Sequence, residues 1–203
     1  MTLYLVRHAQ SEANAGGVFT GGWDVPLTAL GRAQSEALAA RLQDEPIAAV
    51  YASTLSRAQD TAQAVAARLG LAVEVREGLR EAGLGEAEGL PWTTVRERWP
   101  IGAGATWADA IPGAEGGVAV RHRVAAEVDE LLLRHRGETV LAVSHAGAIT
   151  HALQHVLGMP LEAGPRFRIL HAALNVVDEV DGDPFVLALN DGCHLESVES
   201  IEG

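Results

Sequence analysis

The chain has 203 residues and a formal net charge of −12, from 15 Lys plus Arg against 27 Asp plus Glu, and every one of the 15 is arginine. With 48% hydrophobic and 21% charged residues the composition is globular, and 4% aromatic residues leave Ala, Val and Leu to build the core. The missing lysine excludes Schiff-base catalysis, PLP attachment and the P-loop and kinase lysines. Cys193 is the single cysteine, which excludes an internal disulfide, a Cys-type zinc site and an iron–sulfur cluster. No Arg follows it at the spacing used by cysteine-dependent phosphatases. An acidic chain without a basic tail or Arg-rich stripe repels nucleic acid and anionic lipid. No apolar run reaches the length of a membrane span, and the one preceding Arg7 and His8 is too short for a signal peptide. The expected location is cytoplasmic, with no nucleic-acid or membrane partner.

In chain order, Leu3–Val6 reads as a short buried strand that ends in a polar loop. A helix is expected from Thr28 as N-cap, with Leu30, Ala33, Ala37, Leu38 and Leu42 on one face, closed by Pro46. Ile47–Ala52 is a second strand. Ser53 is a candidate N-cap for a helix over Leu55–Leu69 that stops at Gly70, and Leu71–Val75 is a third strand. Glycines, prolines and three tryptophans (Trp92, Trp99, Trp107) crowd the stretch from 78 to 117, with a short helix expected over Pro91–Trp99. A long helix over Val118–Arg136 turns Val124, Val128, Leu131 and Leu132 inward and ends at Gly137. Thr139–Val143 is another buried strand, Ala148–Leu157 a helix, and Phe167–Leu170, Asn175–Val180 and Phe185–Leu189 are closing strands. Strands alternating with helices at this spacing predict a mostly parallel sheet sandwiched by helices, a three-layer α/β/α architecture. The expected organisation is a single domain over 1–203 with a covering segment at about 90–117.

Ligands of open α/β sheets collect at the carboxyl ends of the strands. The first strand ends in Arg7-His8, the later buried strand in Ser144-His145-Ala146-Gly147, and Arg57 lies in the first turn of a helix with its positive dipole end. Glu81 follows the third strand in a Gly-rich loop. Two arginines, two histidines and a carboxylate at strand ends suit a compact anion, phosphate best, because a guanidinium fork pairs two phosphate oxygens at once. For a single Arg or His at a strand end a structural salt bridge is the commoner explanation, and it is their occurrence as a set that favours one shared site.

The run Leu5-Val6-Arg7-His8-Ala9-Gln10-Ser11-Glu12-Ala13-Asn14 resembles the signature of the histidine phosphatase superfamily, the phosphoglycerate-mutase-like proteins. Thr20–Gly31, Ser53–Ala62, Leu79–Gly89, Ser144–Gly147 and Asn190–Leu195 follow in the family's order, so the resemblance spans nearly the whole chain. It implies a phosphatase that hydrolyses a phosphomonoester of a small metabolite through a phosphohistidine on His8. Glu81 would be general acid and then base, its proton affinity raised beside a phosphate dianion. By the same resemblance Arg7, Arg57 and His145 hold the non-bridging oxygens, with the backbone N–H of Ala146 as a further donor. Asn14, Thr20 and Gly21 would contact phosphate or substrate, although Asn14 also reads as a turn residue. No metal and no cofactor is implied, because the arginines neutralise the charge.

Alanine stands at positions 9 and 146, where many members carry glycine, and Leu79-Arg80-Glu81 replaces the Asn-Glu-Arg of the mutases, which favours hydrolysis. Phosphoglycerate-mutase-type transfer and a non-catalytic phospholigand-binding protein are the alternatives, and monomer and homodimer are both compatible. His122, His135, His151, His155, His171 and His194 are assigned no functional role. His151 and His155 have zincin-like spacing, but Ala152 stands where that motif needs Glu. Cys193 is expected to be buried or inert.

Overall fold

A computed structural model describes residues 1–100, 107–161, 163–164 and 167–199. In chain order the elements are β1 (Thr2–Arg7), α1 (Glu12–Ala15), α2 (Ala29–Leu42), β2 (Ile47–Ala52), α3 (Ser56–Leu69), β3 (Val73–Val75), α4 (Trp92–Arg98), α5 (Trp107–Ala110), α6 (Gly117–Arg134), β4 (Thr139–Ser144), α7 (Ala146–Val156), β5 (Leu174–Val180), β6 (Asp183–Asp191) and α8 (Glu196–Glu199). The strands form one six-stranded sheet in the order β3-β2-β4-β1-β5-β6. The first four are parallel, and β5 and β6 add antiparallel strands at one edge.

The alternation of side chains along each strand sorts the core into two layers. Leu3, Leu5, Val140 and Ala142 face Val124, Val128 and Leu131 of α6 and Ile149 and Leu153 of α7. Val6, Val50, Leu141 and Val143 point the other way, onto Leu38 and Leu42 of α2 and Ala62 and Val65 of α3. The expected α/β/α sandwich is therefore the observed one. A smaller cluster packs Val95 and Ile111 of the segment 90–117, with Trp99 against them, onto Phe19 and Ala87. Residues 101–106 of that segment lie outside the described ones.

Several expectations need correction. Phe167–Leu170 forms no strand, because its backbone groups bond side chains instead of a neighbouring strand. Ile169 O accepts from Arg7 Nη1 (2.8 Å), Leu170 N–H donates to Asn190 Oδ1 (2.9 Å), and Arg168 O accepts from Asn190 Nδ2 (2.7 Å). Ser53 is not the N-cap of α3: Leu55 occupies that position without a side-chain bond. A remote carboxylate supplies the cap instead, Asp24 Oδ1 accepting from Ser56 N–H at 2.9 Å and from Ser56 Oγ at 2.8 Å. The helix expected from Ala148 starts two residues earlier, at Ala146. Cys193 is exposed.

Candidate active site

Parallel pairing of β1 with β4 sets Arg7 opposite Ser144, and His8 N–H donates to Ser144 O at 2.9 Å. His8 and His145 thus leave neighbouring strands at the same level, and their ring centroids are 5.1 Å apart. Both side chains are buried. His8 Nδ1 lies 2.7 Å from Ala9 O; a carbonyl only accepts, so Nδ1 carries the hydrogen and Nε2 keeps its lone pair. Arg57 Nε donates to that Nε2 at 3.2 Å. Burial, followed by His145, Arg7 and Arg57, holds the His8 pKa well below the ordinary imidazole value, so the ring is neutral.

Arg57 is itself buried, with Nη1 donating to Trp23 O (2.9 Å) and Nη2 to Gly21 O (3.0 Å). Gly21 has a φ of +49°, and a Cβ there would lie 2.5 Å from Glu88 Oε1 and 2.9 Å from Leu84 N, so the carbonyl that receives Arg57 depends on glycine. Burial lowers the Arg7 pKa to about 10, which leaves the guanidinium charged at neutral pH; Glu81 partly opposes that shift. His145 is neutral for the same reason as His8, burial first and then Arg57 and Arg7. Its Nε2 is 2.7 Å from Ser53 Oγ, and its Nδ1 is buried without a partner.

Glu81 reaches the site from a loop fastened at three carbonyls by two side chains. Ser144 Oγ donates to Leu79 O (2.7 Å), and Arg123 Nη1 donates to Gly78 O (3.1 Å) and Arg80 O (2.9 Å). The Glu81 carboxylate sits on the N-terminus of α7, Oε2 accepting from Gly147 N–H (3.1 Å) and Oε1 from Ala148 N–H (3.2 Å) and Ala82 N–H (3.0 Å). A Cβ on Gly147 would stand 2.4 Å from Glu81 Oε1, so this seat exists because residue 147 has no side chain.

Arg7, His8, Arg57 and Glu81 share the wall of one cavity of about 330 Å³. Asn14, Thr20, Gly21 and Ala146 line it as well, and the His145 ring lies beside that of His8, tilted by 59° to it. Asn14 also serves its own turn, its Oδ1 accepting from Ser11 N–H (3.1 Å) and Ser11 Oγ (2.7 Å). Among the described non-glycine residues only Ala172, Asp181 and Asn190 have positive φ. Alanine at 9 and 146 therefore carries no backbone strain.

Residues without an expected role also converge here. His171 Nδ1–H donates to His8 O (3.1 Å) with its ring 5.6 Å from the His8 ring, and burial, then Arg7, brings its pKa to about 4. Ala172 N–H donates to Arg7 O at 2.9 Å, so the segment 169–172 grips Arg7 and His8 from one side. Trp92, Phe167 and His151 line the cavity. His155 turns away and bonds Asp129 Oδ1 (2.8 Å), so it does not converge with His151. Among the described residues, no group of three or more His, Cys, Asp or Glu is placed to hold a metal ion, and no helix is long and apolar enough to cross a membrane.

A sequence profile of the histidine phosphatase superfamily (branch 1) matches residues 3–192. The probable phosphoglycerate mutase GpmB of Yersinia enterocolitica is 33% identical over 182 residues, 88% of this chain and 85% of that protein. Among solved structures, YhfR of Bacillus stearothermophilus superposes with a TM-score of 0.88 at 30% identity, over 96% of this chain and 99% of that one. A mycobacterial glucosyl-3-phosphoglycerate phosphatase complexed with VO3 superposes with a TM-score of 0.85 at 28% identity, over 94% and 99%. With the profile spanning β1 through β6 and curated and structural relatives covering most of their own length, the chain belongs to the histidine phosphatase superfamily.

Proposed function

We propose that this protein is a metal-independent phosphatase that hydrolyses a phosphomonoester of a small metabolite through a phosphohistidine on His8. The observation that carries this reading is the tautomer of His8: Nδ1–H is committed to Ala9 O, which leaves the Nε2 lone pair at the cavity with Arg57 beside it. Nε2 attacks phosphorus, the P–N bond forms, and the ester P–O bond breaks. Glu81 in its acid form gives its proton to the leaving oxygen. Glu81 as carboxylate then takes a proton from water, whose oxygen attacks phosphorus and breaks the P–N bond, releasing inorganic phosphate and restoring both groups. Arg7 and Arg57 face the charge that spreads over the non-bridging oxygens. His145, beside the nucleophile, serves as an additional donor to a non-bridging oxygen through Nδ1–H when Ser53 Oγ–H donates to its Nε2.

The test is a phosphomonoester panel assayed with a chelator present, alongside His8→Ala. Activity that survives chelation and is lost in the variant is expected; a requirement for added divalent metal, or an active His8→Ala protein, overturns the mechanism. The GpmB relative supports a second reading, transfer of the phosphoryl group back to an acceptor metabolite. Release of inorganic phosphate without a bisphosphate requirement separates the two.

A further inference from the structure

Glu81 sits in a stretch that belongs to neither strand nor helix: one 3-10 turn ends at Leu79 and the next begins at Gly85. No ladder of backbone bonds holds such a stretch, so its position depends on bonds from other segments. Many of them come from one ion pair. Arg123 of α6 donates Nε–H to Glu115 Oε1 (2.9 Å) and Nη2–H to Glu115 Oε2 (2.9 Å), a bidentate pairing that fixes the plane of the guanidinium. With the plane fixed, Nη1 reaches Gly78 O and Arg80 O, ahead of Glu81 in the chain. After Glu81, Glu115 N–H donates to Gly83 O (2.8 Å) and Glu115 Oε2 accepts from Gly83 N–H (3.4 Å). The pair therefore grips the backbone on both sides of Glu81.

The loop can lie this close to α6 because residue 78 is glycine. A Cβ there would stand 2.6 Å from the Cβ of Glu127, one turn beyond Arg123 on the same helix. Burial by itself would raise the Glu115 pKa, but the bonds and charge of Arg123, then Gly83 N–H and the charge of Arg80, outweigh it and hold the carboxyl below its ordinary value. The pair is therefore charged at neutral pH. Proton transfer needs hydrogen-bond distance, and a misplacement of about 1 Å costs about 100-fold.

Resting on the phosphatase reading above, we propose that Arg123 and Glu115 are positioning residues for Glu81. Their ion pair sets where the carboxyl group stands relative to the leaving oxygen. Glu115 also ties that position to the segment 90–117, whose Trp92 lines the cavity. All three guanidinium nitrogens of Arg123 are engaged by the loop and by Glu115, so Arg123 acts on the reaction through Glu81.

The test reads kcat/KM for two esters of similar shape, 4-nitrophenyl phosphate and benzyl phosphate. This constant covers departure of the leaving group, where benzyl alcohol needs the proton of Glu81 and nitrophenolate does not. In Arg123→Gln, kcat/KM for benzyl phosphate is expected to fall about 10- to 100-fold and that for nitrophenyl phosphate less than about threefold. Retained nitrophenyl turnover shows that the variant is folded. Arg123→Lys keeps the charge but not the fork, and should show the same split. In a Glu81→Gln background, Arg123→Gln should cost benzyl phosphate less than about threefold, because the group it places no longer transfers a proton. Equal losses for the two esters are what Arg123 would give by acting through its charge near His145 or through the fold alone. That result, no loss at all, or an undiminished loss in the Glu81→Gln background overturns the proposal while leaving hydrolysis established. If Glu81→Gln alone lowers both esters equally, Glu81 is not the acid and this proposal falls with that role; failure of the wild-type protein to hydrolyse either ester overturns the phosphatase reading itself.

Discussion

Arg57 aims its Nε–H at the Nε2 lone pair of His8 across 3.2 Å. On the phosphatase reading proposed above, an arriving phosphate competes for that N–H, and when the hydrogen bond passes from nitrogen to oxygen the lone pair is freed and the anion is bound in one movement.

Arg57→Lys tests this exchange. An ammonium is a point donor and cannot hold Gly21 O, Trp23 O and the ligand with a planar fork. Loss of at least about tenfold in kcat/KM is expected, with weaker inhibition by orthovanadate to a similar degree, since a charge-assisted hydrogen bond contributes about 1.5–3 kcal/mol. Steady-state kinetics with vanadate as competitor measures both; unchanged inhibition would show that Arg57 does not touch the anion.

Glu81→Gln removes the proton but keeps the shape. The losses should track the leaving group, with kcat for alkyl phosphates falling about 10²- to 10⁴-fold and kcat for nitrophenyl phosphate falling far less. Equal losses for the two classes would contradict a role as acid.

Gly147→Ala separates placement of Glu81 from stability. The new methyl would meet Glu81 Oε1 at 2.4 Å, while alanine in a helix is favoured over glycine by up to about 1 kcal/mol. The expected result is a kcat lowered by about tenfold or more, as for a group displaced by an ångström, with a melting temperature no lower than wild type by more than a few degrees. Full activity would show that the carboxylate tolerates displacement from the helix terminus.

Acidification should destabilise the fold through its buried histidines. In the unfolded chain His171 takes up a proton near pH 6.5, but in the folded protein only near pH 4. Its contribution is therefore present in full above pH 6.5 and lost as pH falls from 6.5 towards 4, the same sign holding for His8 and His145. Melting temperatures between pH 7 and 4 should fall less steeply in His171→Gln than in the wild type; parallel slopes would remove His171 from the account.

Much of the architecture was readable because it rests on local pattern. The apolar runs Leu3–Val6 and Thr139–Val143, the Thr28 cap and the Gly70 stop correspond to observed β1, β4 and both ends of observed helices. The convergence of His8 with His145 followed from the rule for strand ends. What escaped depends on bonds between distant segments. Asp24 caps α3 across the loop, Ser53 turns from helix capping to His145, and 167–170 spends its backbone on Arg7 and Asn190. None of these leaves a periodic trace. His151, which lines the cavity, lies on α7, and the observed start of that helix at Ala146 is two residues earlier than its pattern suggested. His171 gave no comparable signal: only the fold brings it against His8 O.

The register that sets Arg7 opposite Ser144 also links activity to folding. His8 and His145 belong to strands far apart in sequence, and neither faces the other until β1 and β4 have paired with that alignment. A slip of one residue would turn one histidine to the opposite face of the sheet. Long-range parallel pairing is a slow kind of contact to form. In a refolding experiment, recovery of catalytic turnover would thus time the closing of the central strand pair, with helical signal in α3 and α6 returning before it.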